Sequence, residues 1–266
     1  MKIAFVGGGN MGEAILAAVL RKGLSTPESI CVIDISTERR EYLAKQYGVA
    51  VTEKSQEAVS GKDIVILAIK PQNLAEVMTD LRSRLEPTQL VLSIVAGASI
   101  ESLSQGLGHD CIVRAMPNTP AQIGYGISAW TATADVTGEQ RAWARDILGA
   151  TGGEIFFSDE KYLNMVTAVS GSGPAYFFLL AGSLIDAAVS IGLPQKEAEE
   201  LVSQTMLGSA HLMQKSGKAP AELIRAVASR GGTTERALQV FEEGGFADLV
   251  KEAVRSAYQR AGELGS

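Results

Sequence analysis

Several short stretches of this chain hold residue types whose spacing suits ligand chemistry. The first is Gly7-Gly8-Gly9-Asn10-Met11-Gly12, a G-x-G-x-x-G hexapeptide between an apolar run, Ile3–Val6, and an amphipathic one. In such a loop the first glycine allows a tight turn, the second lets backbone approach a pyrophosphate, and the third lets helix pack close to strand. The phosphates then lie on N–H groups at a helix N-terminus, with the helix dipole behind them. Glycine-rich turns also arise for structural reasons alone. Here a strand precedes the loop, a helix follows it, and a second strand ends in Asp34, so a dinucleotide site is favoured over a plain turn. An acidic residue at that strand end normally accepts from a ribose 2′-hydroxyl, which suits NAD. Ser36, Thr37, Arg39 and Arg40 follow at once and offer donors to the 2′-phosphate of NADP, although arginines in a solvated first helical turn would look the same. The choice between the two cofactors stays open at this point.

Further candidates lie at strand ends. Ala68-Ile69-Lys70-Pro71 closes one apolar run and Val95-Ala96-Gly97 the next, at the carboxyl edge where open α/β sheets bind ligands. Lys70 reads as a cofactor-side residue rather than a stray solvent charge. Arg114-Ala-Met-Pro-Asn-Thr-Pro120 ends a later strand with two prolines that fix the backbone, and a rigid connector explains them as well as a binding role does. Asn118 and Thr119 would add polar groups near a nicotinamide. Ser170-Gly-Ser-Gly-Pro-Ala175 reads as an ordinary helix start, with Ser172 near the cap and Pro174 in the first turn. Ser229-Arg230-Gly231-Gly232-Thr233-Thr234-Glu235 tells more. Its N–H groups at Gly232, Thr233 and Thr234 could hold a small carboxylate. A threonine cap would explain Thr233, but not the doubled glycine with a second hydroxyl.

The elements that must position these residues fall into two halves. Up to about residue 157 there are strand candidates at Ile3–Val6, Ile30–Asp34, Ile64–Ile69, Leu90–Val95, Cys111–Ala115, Ile127–Thr131 and Glu154–Phe157. The first four are continuous apolar runs, as expected of parallel strands buried on both faces. Helical segments at Met11–Arg21, Thr37–Gln46, Asn73–Leu85 and Gly138–Leu148 alternate with them, which predicts a parallel sheet with right-handed crossovers. Beyond residue 160 only helices are expected, near 174–191, 195–214, 220–228 and 234–242, then from Phe246 to about Glu263. The first is apolar nearly all round (Phe177, Phe178, Leu179, Leu184), and a half-chain of about one hundred residues is too small to cover it, so a second subunit is inferred.

Composition narrows the function classes. With 46% hydrophobic and 20% charged residues the chain reads as globular. A formal charge of −6 argues against nucleic acid or acidic lipid as a partner. Cys31 and Cys111 lie in apolar runs and read as small buried hydrophobes, and with His109 and His211 they make no metal-site spacing. The chain opens directly with a strand, so no secretory segment is expected. The most apolar stretch, Pro174–Gly182, is much shorter than the roughly 20 residues of a membrane span. A cytoplasmic protein without a membrane partner is the expectation.

GGGNMG, AIKP, RAMPNTP, GSGPAY and SRGGTTERAL, in this order and spacing, resemble pyrroline-5-carboxylate reductase, over residues 1 to about 260. The resemblance implies a Rossmann-type α/β N-terminal domain (residues 1–160) and an all-α C-terminal dimerisation and substrate domain (161–266). It implies reduction of a cyclic imine, 1-pyrroline-5-carboxylate, to L-proline with NADPH, or with NADH, the last step of proline biosynthesis. It further implies homodimers, often assembled into rings of dimers, with substrate between the nicotinamide of one subunit and the GGTT loop of its partner. Gly232, Thr233 and Thr234 would hold the substrate with Asn118, and the Thr234 hydroxyl would meet the imine nitrogen as the catalytic group. The cofactor side would comprise Val6, Gly7, Gly8, Gly9, Asn10, Met11, Gly12, Asp34, Ser36 and Ser55. Ala68, Ile69, Lys70, Pro71, Val95, Ala96 and Gly97 complete it. Two positions depart from the family: Arg230 stands where members often have proline, and Asp34 where NADPH-preferring members have a neutral residue. Two other readings compete. A β-hydroxyacid dehydrogenase would need a lysine–asparagine pair on the interdomain helix, and Lys161 with Asn164 fit that poorly. A non-catalytic NAD(P)-sensing dimer would have no need of a carboxylate pocket.

Overall fold

A computed structural model describes residues 1–263. Eight strands form one sheet: β1 (Ile3–Val6), β2 (Ile30–Ile33), β3 (Ala50–Thr52), β4 (Ile64–Leu67), β5 (Leu90–Ser93), β6 (Ile112–Met116), β7 (Gly126–Ala132) and β8 (Gly152–Phe156). Their order is β3-β2-β1-β4-β5-β6-β7-β8. The chain moves outward from β1 to β3 and then returns to lay β4 on the other side of β1, which makes the β1/β4 junction the switch point of the sheet. β1, β2, β4 and β5 are buried along their whole length, as their unbroken apolar runs require.

The helices of the first part are α1 (Asn10–Arg21), α2 (Thr37–Tyr47), α3 (Ser55–Val59), α4 (Leu74–Leu81), α5 (Ile100–Leu107), α6 (Gly138–Gly149) and α7 (Lys161–Val166). They cover two apolar layers. One gathers Phe5, Ile15, Leu16, Leu43 and Trp130, the other Val6, Leu67, Leu81, Leu103 and Leu107. The second part contains α8 (Gly173–Ser190), α9 (Gln195–Ser216), α10 (Pro220–Val227), α11 (Thr233–Glu243) and α12 (Phe246–Glu263). Contacts divide the chain into one unit of Met1–Ser172 with the stretch from Ala257 onward, and a second of Gly173–Ser256.

Four differences from the sequence reading have physical causes. The sheet is not wholly parallel, because β7 runs antiparallel to β6. Only Pro117–Tyr125 connects them, with a 3₁₀ turn at Thr119–Ile123, and a parallel return would need a dozen residues or more. The unexpected β3 is a three-residue edge strand whose residues are partly exposed, so it carries no run of apolar side chains to read. Cys111 lies ahead of β6 and is half-exposed, unlike the buried Cys31. Finally, Pro174 starts no helix. Lys161–Ser190 is one helical run with a π-turn at Thr167–Gly171, closed by the Ser172 N–H donating to the Thr167 carbonyl at 2.8 Å. The wider turn accommodates a proline that has no N–H to give and would otherwise clash with a carbonyl one turn back. This run has 30 residues and an 18-residue window of mean hydropathy 1.4, so it is long and apolar enough to cross a membrane by length and composition, whereas Pro174–Gly182 alone is not.

At the amino edge of the sheet, Gln89 leads into β5 and is 1% exposed. Its amide nitrogen donates to the Val59 and Lys62 carbonyls at 2.6 and 2.8 Å, and its oxygen accepts from the Glu86 N–H at 2.8 Å. Gln89→Leu leaves the Lys62 carbonyl and the Glu86 N–H without these partners, and the Val59 carbonyl with only the Lys62 N–H at 3.3 Å. It should lower unfolding stability by about 2–4 kcal/mol. The check is a fall in denaturant midpoint with unchanged slope, at fixed protein concentration.

Candidate active site

The glycine loop leaves β1 at the switch point. Gly7 has φ +100°, and a Cβ there would stand 2.5 Å from the Ala68 carbonyl oxygen at the exit of β4. A Cβ on Gly12 would strike the Gly7 carbonyl. Both glycines are therefore demanded by backbone packing. Gly9 is different: nothing lies within 4 Å of its Cβ position, so the protein itself gives no reason for its bareness. It caps α1 without a side-chain hydrogen bond, leaving the first N–H groups of the helix for something else. An open approach over Gly9 and an uncapped twelve-residue helix fit the pyrophosphate of a dinucleotide.

Around this loop the expected residues converge along the carboxyl edge. Val6 ends β1, and its carbonyl accepts from the Ala68 N–H at 2.8 Å. Ile69, the exposed Lys70, and Pro71 lead into a 3₁₀ turn, while Val95, Ala96 and Gly97 follow β5. Asn10 and Met11 open α1. Asp34 does more than wait for a ribose. One carboxylate oxygen accepts from the Gly8 N–H at 2.8 Å and the other from the Ser36 N–H at 2.9 Å. The Ser36 hydroxyl accepts from the Arg39 N–H and caps α2. Ser55 is buried, and its hydroxyl donates to Asp80, which pairs with Arg84. The two arginines are not solvated. Arg39 binds the Gly8 carbonyl and Glu13, and Arg40 binds the Asp34 carbonyl at 2.7 Å.

Two motifs that read as separate in the sequence meet here. Arg114, buried, pairs with Glu160 and donates to the Asn164 side-chain oxygen at 2.9 Å. Glu160 also accepts from the Ile100 N–H at the start of α5. Asn118 accepts from the Ile127 N–H at 2.9 Å and donates to the Ser170 hydroxyl at 3.3 Å. Gly171 lies so close to the Met116 methyl that a Cβ would stand 2.6 Å away. The RAMPNTP strand end therefore grips the π-turn. Sequence reasoning missed Arg114 and Glu160; a lone arginine inside an apolar strand was the available signal. Asn164 is committed to Arg114 and Lys161 to Asp159, so neither is poised to polarise a carbonyl.

In the second unit, α11 starts at Thr233. Its cap is Gly232, not Thr233, and no side chain bonds to the cap. Each glycine has a local cause as well: Gly231 has φ +73°, and a Cβ on Gly232 would meet the Ser229 hydroxyl at 2.5 Å. The Glu235 carboxylate turns back to accept from the Gly231 N–H at 2.6 Å. The N–H groups of Thr233 and Thr234 stay at the open end of the helix, with Thr233 exposed and Thr234 half-buried.

Gly9→Ala should keep thermal stability within about 1 kcal/mol, since it meets open space, while weakening dinucleotide affinity at least about tenfold. Gly12→Ala should lose stability instead. Calorimetric titration beside thermal melts separates the two, and equal loss of stability in both would sink the distinction.

Comparison with known proteins gives the family and the fold. Residues 160–264 match the family described as pyrroline-5-carboxylate reductase dimerisation, and residues 2–97 match NADP oxidoreductase coenzyme F420-dependent. The pyrroline-5-carboxylate reductase of Pseudomonas aeruginosa is 41% identical over 99% of this chain and 96% of its own length. That of Escherichia coli is 38% identical over 99% and 98%. A solved pyrroline-5-carboxylate reductase from Coxiella burnetii superposes with a TM-score of 0.91 at 35% identity, covering 100% of this chain and 98% of the other. The Plasmodium falciparum pyrroline carboxylate reductase with NADP bound gives 0.90 at 30% identity, with the same coverage. The chain belongs to the pyrroline-5-carboxylate reductase family.

Proposed function

We propose that the chain reduces 1-pyrroline-5-carboxylate to L-proline with NAD(P)H, the closing step of proline biosynthesis, as a self-associating cytoplasmic enzyme. Residues 1–160 serve as the dinucleotide-binding domain and 161–266 as the dimerisation and substrate domain, with dimers further assembled into rings. The observation that carries the substrate assignment is the glycine-capped start of α11, an anion site with two threonines and no competing side-chain cap.

In this reading the dinucleotide lies along Val6–Gly12, with its pyrophosphate over Gly9 and the adenosine ribose beside Asp34 and Ser36. Ser55, Ala68–Pro71 and Val95–Gly97 border it. Gly232, Thr233 and Thr234 hold the substrate carboxylate, and Asn118, through its grip on Ser170, shapes the surface beside the ring. When bound, NAD(P)H supplies the hydride. With the imine nitrogen already protonated from solvent, hydride adds to C5, the carbon–nitrogen double bond becomes single, and its π electron pair stays on nitrogen as the amine lone pair. The Thr234 hydroxyl, far too weak an acid to give up its proton readily, orients and hydrogen-bonds that nitrogen. Most of the acceleration then comes from holding the two carbons in line.

The direct test follows loss of NADPH and NADH absorbance with pyrroline-5-carboxylate at neutral pH. Turnover supports the reading; none with either cofactor, in folded dimeric protein, overturns it. Thr234→Ala should lower kcat/KM about ten- to a hundredfold, the worth of one hydrogen bond to a charged group. Cofactor affinity should barely move, and a parallel loss of both would remove Thr234 from the substrate.

A further inference from the structure

The geometry points to a specificity device at the end of β2: Glu13 holds Arg39 away from a 2′-phosphate, so that the site favours NADH over NADPH. This rests on placing the adenosine ribose beside Asp34.

Arg39 is one of the residues that the sequence offers to a 2′-phosphate, yet its Nε and Nη2 are turned inward. Nε binds the Gly8 carbonyl, Nη2 pairs with Glu13, and the guanidinium lies over the Tyr42 ring, 5.0 Å from its centroid. Glu13 in turn is fixed from two more sides, by the Tyr42 hydroxyl at 3.0 Å and the Tyr47 hydroxyl at 2.7 Å. Burial works to raise the Glu13 carboxyl, and the hydrogen bonds from Arg39, Tyr47 and Tyr42 outweigh it, so it sits below the usual carboxylate range. Burial and Glu13 together push the Tyr47 phenol up to about 12. At neutral pH the carboxylate is charged and its phenol donor is intact.

Arg40 is no freer. It binds the Asp34 carbonyl at 2.7 Å, the Thr37 hydroxyl at 3.1 Å and Glu53 at 3.5 Å. The two side chains are only 24% and 15% exposed, folded onto the protein rather than reaching outward. Asp34, Glu13 and Glu53 outnumber the two guanidinia, so a dianionic 2′-phosphate would enter a net negative corner. A 2′-hydroxyl meets no such repulsion. Each Asp34 oxygen accepts one backbone N–H and keeps a lone pair for it.

The test measures dissociation constants of NAD⁺ and NADP⁺ by calorimetry, with kcat/KM for NADH and NADPH beside them. The unaltered protein should prefer NAD(H). Glu13→Gln should shift the ratio toward NADP(H) about tenfold by releasing Arg39, and the shift should vanish in Glu13→Gln/Arg39→Met. Arg39→Met alone should lower NADP⁺ affinity by less than about threefold, the effect of one more net negative charge in a solvent-screened corner, which keeps the inference open to refutation if the glutamine variant misfolds. A native preference for NADP(H), a shift that survives loss of Arg39, or a fall of about tenfold or more in NADP⁺ affinity in Arg39→Met would each overturn it. Asp34→Ser separates the levels. If it moves the ratio and Glu13→Gln does not, only the clamp fails; if it leaves the ratio unchanged, the ribose placement fails and the clamp with it.

Discussion

The close approach of two strand exits governs the N-terminal half of this protein. Where β1 and β4 lie side by side at the switch point, the backbone of Gly7 presses on the carbonyl of Ala68, leaving no space for a side chain. The chain must turn upward there with a positive φ, and the turn aims the start of α1 over the carboxyl edge. Gly12 lets that helix sit down on the turn that launches it. Asp34 then ties Gly8 to the end of β2 and Ser36 to the start of α2. A carboxylate that accepts two backbone N–H groups is a strut for the loop between them.

The parts of this arrangement that were legible in the sequence share one feature: they rest on local pattern. Four buried strands announce themselves as apolar runs, and the glycine loop is readable because its neighbours in sequence are its neighbours in space. What stayed hidden depends on partners far along the chain. Ser55 looks like a free hydroxyl until Asp80 and Arg84 are brought to it. Arg39 and Arg40 look like a solvated helical turn until Glu13 and the Asp34 carbonyl take their donors. The short β3 carries no signal because an edge strand with half-exposed residues needs none of the apolar density that marks a central one.

The π-turn shows the same limit in another form. Ser170-Gly-Ser-Gly-Pro contains every residue of an ordinary helix start, and local rules favour one. Tertiary contacts decide otherwise. Asn118 holds the Ser170 hydroxyl, Met116 fills the space that a side chain at Gly171 would need, and Arg114 anchors the preceding turn through Glu160 and Asn164. Helix geometry continues through Pro174 because the extra residue of the π-turn absorbs the missing hydrogen bond. A motif that looks like punctuation is instead a joint where two distant segments are fastened.

The helical half has the opposite character, since what it lacks within one chain defines it. Phe177, Phe178 and Leu179 on α8 are 62%, 68% and 73% exposed, and α8 and α9 border an apolar groove of about 680 Å³ lined by Leu180, Leu184, Val202, Met206 and Met213. Fully burying each large side chain is worth about 1.5–3 kcal/mol, so a lone copy forgoes a stabilisation comparable to that of a whole domain. The run Lys161–Ser190 is also long and apolar enough to cross a membrane by length and composition, a test that core helices of soluble proteins pass as well. The match of residues 160–264 to a dimerisation family shows that this part of the chain self-associates, and an apolar surface of this size suits that use. The absence of a polar face on α8 is consistent with that: a helix built to be covered on every side keeps none.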